Sequence, residues 1–271
     1  MENQMEMTEM GLTPLHDPER GQMRVAGLMS GSGTNLRRII ELERRMQDQE
    51  GKALYIVAAI STDRPDSKAG EIGKEYGIPV VINDIKEFYR SRNKPRKDME
   101  TRAEYDAQTV RALSRFDIDV AAYAGYMNIA TKPLIEAYLG INVHPADLSI
   151  RNPDWRRRYT GHKAVLDAIA QGETHLRSSV HIVTPGVDEG AILMRSSPIE
   201  VNISATERRL PDGLESAAER MQNALKERGD WIIFPKTLLL IAQGRFAKDG
   251  SGNIYFDHRP VPYGITPEEL P

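Results

Sequence analysis

The 271-residue chain contains no cysteine. Disulfides, cysteine-ligated zinc and a cysteine nucleophile are therefore excluded, and the absence fits a reducing, cytoplasmic setting. Charge of one sign is also missing. Lys and Arg number 36 against 39 Asp and Glu, a net charge of −3, without the basic excess of a nucleic-acid coat. No apolar run approaches the roughly 18 residues that span a bilayer. Neither nucleic acid nor a membrane is thus an expected partner. Residues 1–22 are Met-rich and acidic and lack the basic and apolar regions of a secretory signal. They read as a flexible arm, with Met5, Met7, Met10 and Leu12 as the residues able to dock on a neighbouring surface.

Residues 23–271 read as one α/β domain. Arg24 to Met29 is a short apolar run ending in Ser30-Gly-Ser-Gly-Thr-Asn35, followed by Leu36, Ile39, Ile40 and Met46 at helical spacing. Strand, glycine turn and helix open a βαβ unit. Further strands are predicted over 53–60, 78–82, 120–124, 141–145 and 179–184, with a second pair over 191–194 and 199–202. Helices are predicted over 68–76, 103–113, 132–138 and 162–171, and a long one from Leu214 that continues past Pro235 with a kink. The highly charged stretch 84–101 reads as a surface loop or insertion. Asp249-Gly-Ser-Gly252 between apolar stretches marks a C-terminal β-hairpin. Strands alternating with helices imply a mostly parallel sheet with helices on both faces.

The glycine turn is the first candidate site. Its glycines let backbone approach a ligand, and the N–H groups of the following helix start attract a phosphate or carboxylate. Leu36 stands where a dinucleotide fingerprint needs its third glycine, and no Gly-Lys-Ser/Thr follows, so the dinucleotide and ATP motifs are absent. The second candidate is a trio. Asn142 and His144 alternate along one strand and face the same side, near the carboxyl end where open α/β sheets bind ligands. Asp188 follows another strand in Thr184-Pro-Gly-Val-Asp-Glu-Gly190. An amide, an imidazole and a carboxylate suit acyl transfer: an oxyanion donor, a proton carrier and a group that orients it. His162, His175 and His181 are scattered, giving no metal cluster, and His181 reads as a structural strand histidine.

Five segments occur in one order at matching intervals: Ser30-Gly-Ser-Gly-Thr-Asn-Leu36, Ala124-Gly-Tyr-Met-Asn-Ile129, Ile141-Asn-Val-His-Pro145, Ser179-Val-His-Ile-Val183 and Val187-Asp-Glu-Gly-Ala-Ile-Leu193. Together, over about residues 23–257, they resemble the phosphoribosylglycinamide formyltransferases of purine synthesis. The resemblance implies a Rossmann-like fold of the formyltransferase type. It implies 10-formyltetrahydrofolate as co-substrate, a small phosphorylated amine as acceptor and no metal. Asn142, His144 and Asp188 would then be catalytic, and Gly33, Thr34 and Asn35 would hold the acceptor's phosphate. Tyr126, Met127, Asn128, Ile129 and Val187 would form the folate slot, with Arg102 and Asp230 on the acceptor side.

The same resemblance exposes departures. The segment after His144-Pro145 is longer and basic, with Arg151, Arg156, Arg157, Arg158 and Trp155; such arginine forks match oxyanions. Asn128 stands where the family commonly has an arginine facing the glutamate tail of the folate. Aligned on Pro235, Glu227 occupies the place of a phosphate-binding Gln or Lys, and Asp230 that of a ribose-contacting Glu. Two alternatives keep the same residues: a 10-formyltetrahydrofolate hydrolase, and a non-catalytic folate- or nucleotide-binding module.

Overall fold

The computed structural model describes residues 10–204, 207, 210 and 212–270. At its centre lie strands with almost continuous apolar runs, as expected where helices cover both faces of a sheet. Strand β2 (Met23–Met29) is buried at every position but Arg24, and β3 (Tyr55–Thr62) at every position but Ile56. β2 pairs in parallel with β3 on one side and with β5 (Val120–Tyr123) on the other. β4 (Val80–Ile82) extends the β3 side, and β6 (Leu139–His144) extends the β5 side in parallel. β8 (Ser179–Ile182) and β9 (Ile192–Arg195) then add antiparallel, giving the order β4-β3-β2-β5-β6-β8-β9.

The chain builds outward from β2 to β4, then jumps back across β2 to β5. That reversal opens a crevice at the carboxyl ends of β2 and β5, the place where such sheets bind ligands. Two hydrogen bonds hold its walls in register. The Ser30 N–H donates to the Gly125 carbonyl at 3.0 Å, and the Met127 N–H donates to Ser30 Oγ at 3.0 Å.

Helix α1 (Thr34–Glu50) buries Leu36, Ile39, Ile40 and Met46 in the main core. α2 (Ala69–Tyr76) and α5 (Lys132–Ala137) cover their crossovers. Far along the chain, α7 (Gly213–Leu225) passes through a π-helical segment, Lys226–Asp230, into α8 (Trp231–Ala242). The irregularity therefore precedes Pro235. The Trp231 N–H reaches back five residues to the Lys226 carbonyl, the signature of a π-turn. Ile233, Phe234, Leu238 and Ile241 of α8 complete the core under β2 and β3.

Three sequence expectations change. Residues 84–101 are largely helical: α3 (Ile85–Ser91) is capped by Asp84, and α4 (Met99–Leu113) starts at an Asp98 cap. The charges of 84–100 lie outside, while Ile85, Phe88, Tyr89 and Tyr105 form a small apolar cluster beneath. The end of the arm is not loose. Leu12 is buried, and β1 (Thr13–Pro14) pairs with β11 (Phe246–Lys248), the first strand of the C-terminal hairpin completed by β12 (Ile254–Phe256). Met5 and Met7 lie outside the described residues. Finally, Ile199 and Glu200 form β10, which leaves the main sheet and pairs with β7 (His175–Leu176).

Candidate active site

The crevice is a cleft of about 630 Å³. The glycine turn with Gly33, Thr34 and Asn35 forms one wall, and Tyr126, Met127, Asn128 and Ile129 another. Asn142, His144 and His181 form its floor, with Val187 and Asp188 on the far side and Gln222, Lys226 and Asp230 closing the end. Gly33 sits at φ 68° with no side chain capping α1. A Cβ there would lie 2.5 Å from Ile72 Cδ1, so only glycine leaves the first turn of the helix open to an anion.

Asp188 is the best-held group in the cleft. It adopts φ 55°, left-handed backbone unusual for a residue with a side chain. Its Oδ2 accepts the Gly161 N–H at 2.8 Å and lies 3.4 Å from His144 Nδ1. Its Oδ1 lies 3.4 Å from His181 Nε2. Burial alone would raise the pKa of this carboxyl, but the two imidazoles and the Gly161 N–H outweigh it and hold the group at about 2. Burial drives His144 the other way, below its usual range, against the opposing pull of Asp188. At neutral pH the trio is an anion beside a neutral imidazole.

The other nitrogen of His144, Nε2, lies 3.2 Å from the Tyr159 carbonyl oxygen. A neutral ring has one N–H to offer and faces two acceptors, so it is one proton short of full satisfaction. His181 was read from the sequence as structural; the antiparallel register of β6 and β8 sets it opposite Asn142. With its Nδ1 directed at the Ile182 carbonyl at 2.9 Å, its Nε2 lies 3.2 Å from Asn142 Nδ2. The same Nε2 faces Asp188 Oδ1, so the tautomer of His181 sets whether it accepts from Asn142 or donates to Asp188.

The end wall differs from what the alignment on Pro235 suggested. Glu227 is exposed and does not line the cleft, whereas Gln222, Lys226 and Asp230, each four residues apart, do. That four-residue spacing keeps Gln222, Lys226 and Asp230 on one helix face, and Glu227 falls outside it. Asp230 is buried, with Asn35 Nδ2 at 3.5 Å from its Oδ2. Burial pushes it up to about 6, even though Ser178 and Asn35 favour its charged form. Asp230 Oδ1 and Asn35 Oδ1 have no partner although both are buried. Both residues line the cleft.

Arg102 does not line the cleft. It lies buried behind the folate-slot segment, ion-paired to Asp106 at 3.3 Å and donating to the Tyr126 hydroxyl at 3.1 Å. The expected acceptor-side role is corrected accordingly: Arg102 supports the wall from inside. Asn128 donates to Asp63 at 2.6 Å and accepts from Arg96 Nη2 at 2.8 Å, so an arginine from the α3–α4 connection reaches the place where one was missing in the sequence. Among the described residues, no cluster of three or more His, Asp or Glu is placed to hold a metal.

One α/β cleft thus brings together an uncapped helix start and an Asn-His-Asp trio. Residues 23–225 match the family model described as formyl transferase, and the chain belongs to that family. It is 31% identical over 229 residues to a trifunctional purine biosynthetic protein adenosine-3 of Drosophila pseudoobscura pseudoobscura, which covers 82% of this chain. The chain spans about a seventh of that relative's length, 14%. Among solved structures, glycinamide ribonucleotide transformylase 1 from Symbiobacterium toebii superposes with a TM-score of 0.64 at 26% identity, covering 87% of this chain and 94% of the other. A phosphoribosylglycinamide formyltransferase from Coxiella burnetii shares the fold at TM-score 0.67 and 24% identity, over 91% of this chain and 99% of the other.

The raised pKa of Asp230 has a sign that can be measured. Displacement from 3.8 to about 6 makes the ionised carboxyl cost the folded state up to about 3 kcal/mol above pH 6, and nothing below pH 4. Asp230→Asn should therefore unfold at higher denaturant than wild type at pH 8, with the advantage vanishing as the pH is lowered to 4. Equal midpoints at both pH values would show that the carboxyl is not buried as described.

Proposed function

We propose that the chain transfers the formyl group of 10-formyltetrahydrofolate to the primary amine of glycinamide ribonucleotide, in the cytoplasm. The observation that carries this reading is the Asp188 carboxylate wedged between His144 and His181, in one cleft with an uncapped helix start. Exposed apolar side chains at the mouth suit a flat pteridine: Met127, Ile129 and Val187 are 75%, 53% and 49% exposed. At the other end, the α1 N-terminus and Lys226 suit a phosphate. The orphaned oxygens of Asp230 and Asn35 suit ribose hydroxyls.

In this reading the amine nitrogen attacks the formyl carbon and the carbonyl electrons move to oxygen. An amide hydrogen of Asn142 donates to that oxyanion. His144 takes the proton released by the amine, which satisfies both of its acceptors at once, and Asp188 stabilises the imidazolium. Returning that proton to N10 of the folate breaks the carbon–N10 bond. The products are a formamide and tetrahydrofolate.

Tetrahydrofolate release should require the amine. Asn142→Ala is expected to lower kcat by about 10²–10³, and His144→Ala by about 10²–10⁴. Full activity in both variants excludes the mechanism, and formate release without amine would mark a hydrolase. The acceptor end is tested separately. Lys226→Ala should raise KM for the phosphorylated amine at least about tenfold while Glu227→Ala leaves it unchanged, because a phosphate contact is charge-assisted. The opposite ranking would show that the phosphate lies along Glu227.

A further inference from the structure

The basic segment after His144 is a tight hairpin. The Asn152 N–H donates to the Arg156 carbonyl at 2.9 Å and the Arg158 N–H to Ile150 at 3.1 Å, with Trp155 turning the tip at φ 61°. Arg151, Trp155 and Arg156 point outward and are exposed, but Arg157 turns inward and is half-buried. Its guanidinium fork spans two carbonyls of the catalytic turn. Nη1 donates to the Asp188 carbonyl and Nη2 to that of Gly190, the latter at 2.6 Å. No other side chain reaches these two oxygens among the described residues' hydrogen bonds.

That turn has reason to need holding. Asp188 is left-handed, a conformation the backbone of a residue with a Cβ does not favour. Gly190 is pressed on β8 so closely that a Cβ would lie 1.9 Å from the Ile182 carbonyl oxygen. The carboxylate contacts His144, His181 and the Gly161 N–H only while the turn keeps this shape. The same hairpin supplies Tyr159 to His144 and leads into Gly161.

We propose that Arg157 is a positioning residue for formyl transfer: its bidentate grip on the Asp188 and Gly190 carbonyls locks the left-handed turn that aims the Asp188 carboxylate between His144 and His181. It touches no reacting atom. The inference rests on the catalytic reading of Asp188 given above. A planar fork that bridges the carbonyls of Asp188 and Gly190, two residues apart, is a task that a lysine performs poorly.

The test compares Arg157→Met, Arg157→Lys and Arg157→Ala with wild type, each checked for folding by thermal melting. Misplacing the carboxylate should lower kcat by about 10- to 100-fold while KM for folate and for amine stays within about twofold. Arg157→Lys should lose kcat too, although it keeps the charge, and guanidinium ion at millimolar concentration should restore part of the Arg157→Ala loss. Wild-type kcat in any folded variant, or a loss confined to KM, overturns the proposal. If Arg157→Met does not fold, the lysine variant decides alone. If wild type itself transfers no formyl group, the catalytic reading fails instead. The crystal structure of Arg157→Met then settles the turn: Asp188 still left-handed and still bonded to Gly161 overturns the grip, and a relaxed turn supports it.

Discussion

One carboxylate organises this site. Asp188 is removed from bulk water, yet it stays ionised because two imidazoles and a backbone N–H converge on it. Those partners come from three separate segments: β6, β8 and the hairpin that ends at Gly161. None could hold the anion alone, since an unpaired buried charge costs far more than one hydrogen bond returns. The consequence is chemical. In the proposed transfer, a fixed negative charge beside a neutral, proton-deficient histidine would favour proton uptake at the moment an attacking amine sheds one.

The sheet explains why these segments meet. Parallel strands place their carboxyl ends on one edge, and the return of the chain across β2 leaves that edge open between β2 and β5. The antiparallel β8 then brings His181 opposite Asn142, and the π-turn at 226–230 seals the acceptor end with Lys226 and Asp230. Opposite electrostatics meet at that end. The uncapped helix and Lys226 attract anions, while Asp230, reluctant to ionise, offers a neutral or singly charged acceptor for hydroxyls.

Much of this was legible in the amino-acid order. The glycine turn announced itself because only a strand, two glycines and a helical period give that pattern, and Asn142 with His144 were paired by the two-residue period of a strand. Asp188 was singled out by its turn after a strand, and the resemblance then gave it a catalytic role. The misses have physical causes. His181 gave no local signal, because cross-strand register is a tertiary property. Glu227 was put in the site by aligning on Pro235 with the family, whereas the four-residue spacing of Gln222, Lys226 and Asp230 sets Lys226, not Glu227, on the cleft face. The charges of 84–101 hid two helices whose apolar residues are few but share one face. Arg102 looked like a ligand-binding arginine, yet its partner Asp106, one turn along α4, draws it inward.

The central claim is that Asp188 holds its charge against a neutral His144 in the free enzyme. Nitrogen-15 NMR of the His144 ring across a pH series reads this directly. Burial places the midpoint below the usual 6.5, and Asp188→Asn should lower it further, since the carboxylate is the main group sustaining the imidazolium. A midpoint above 6.5, or one that does not move in Asp188→Asn, would contradict the account.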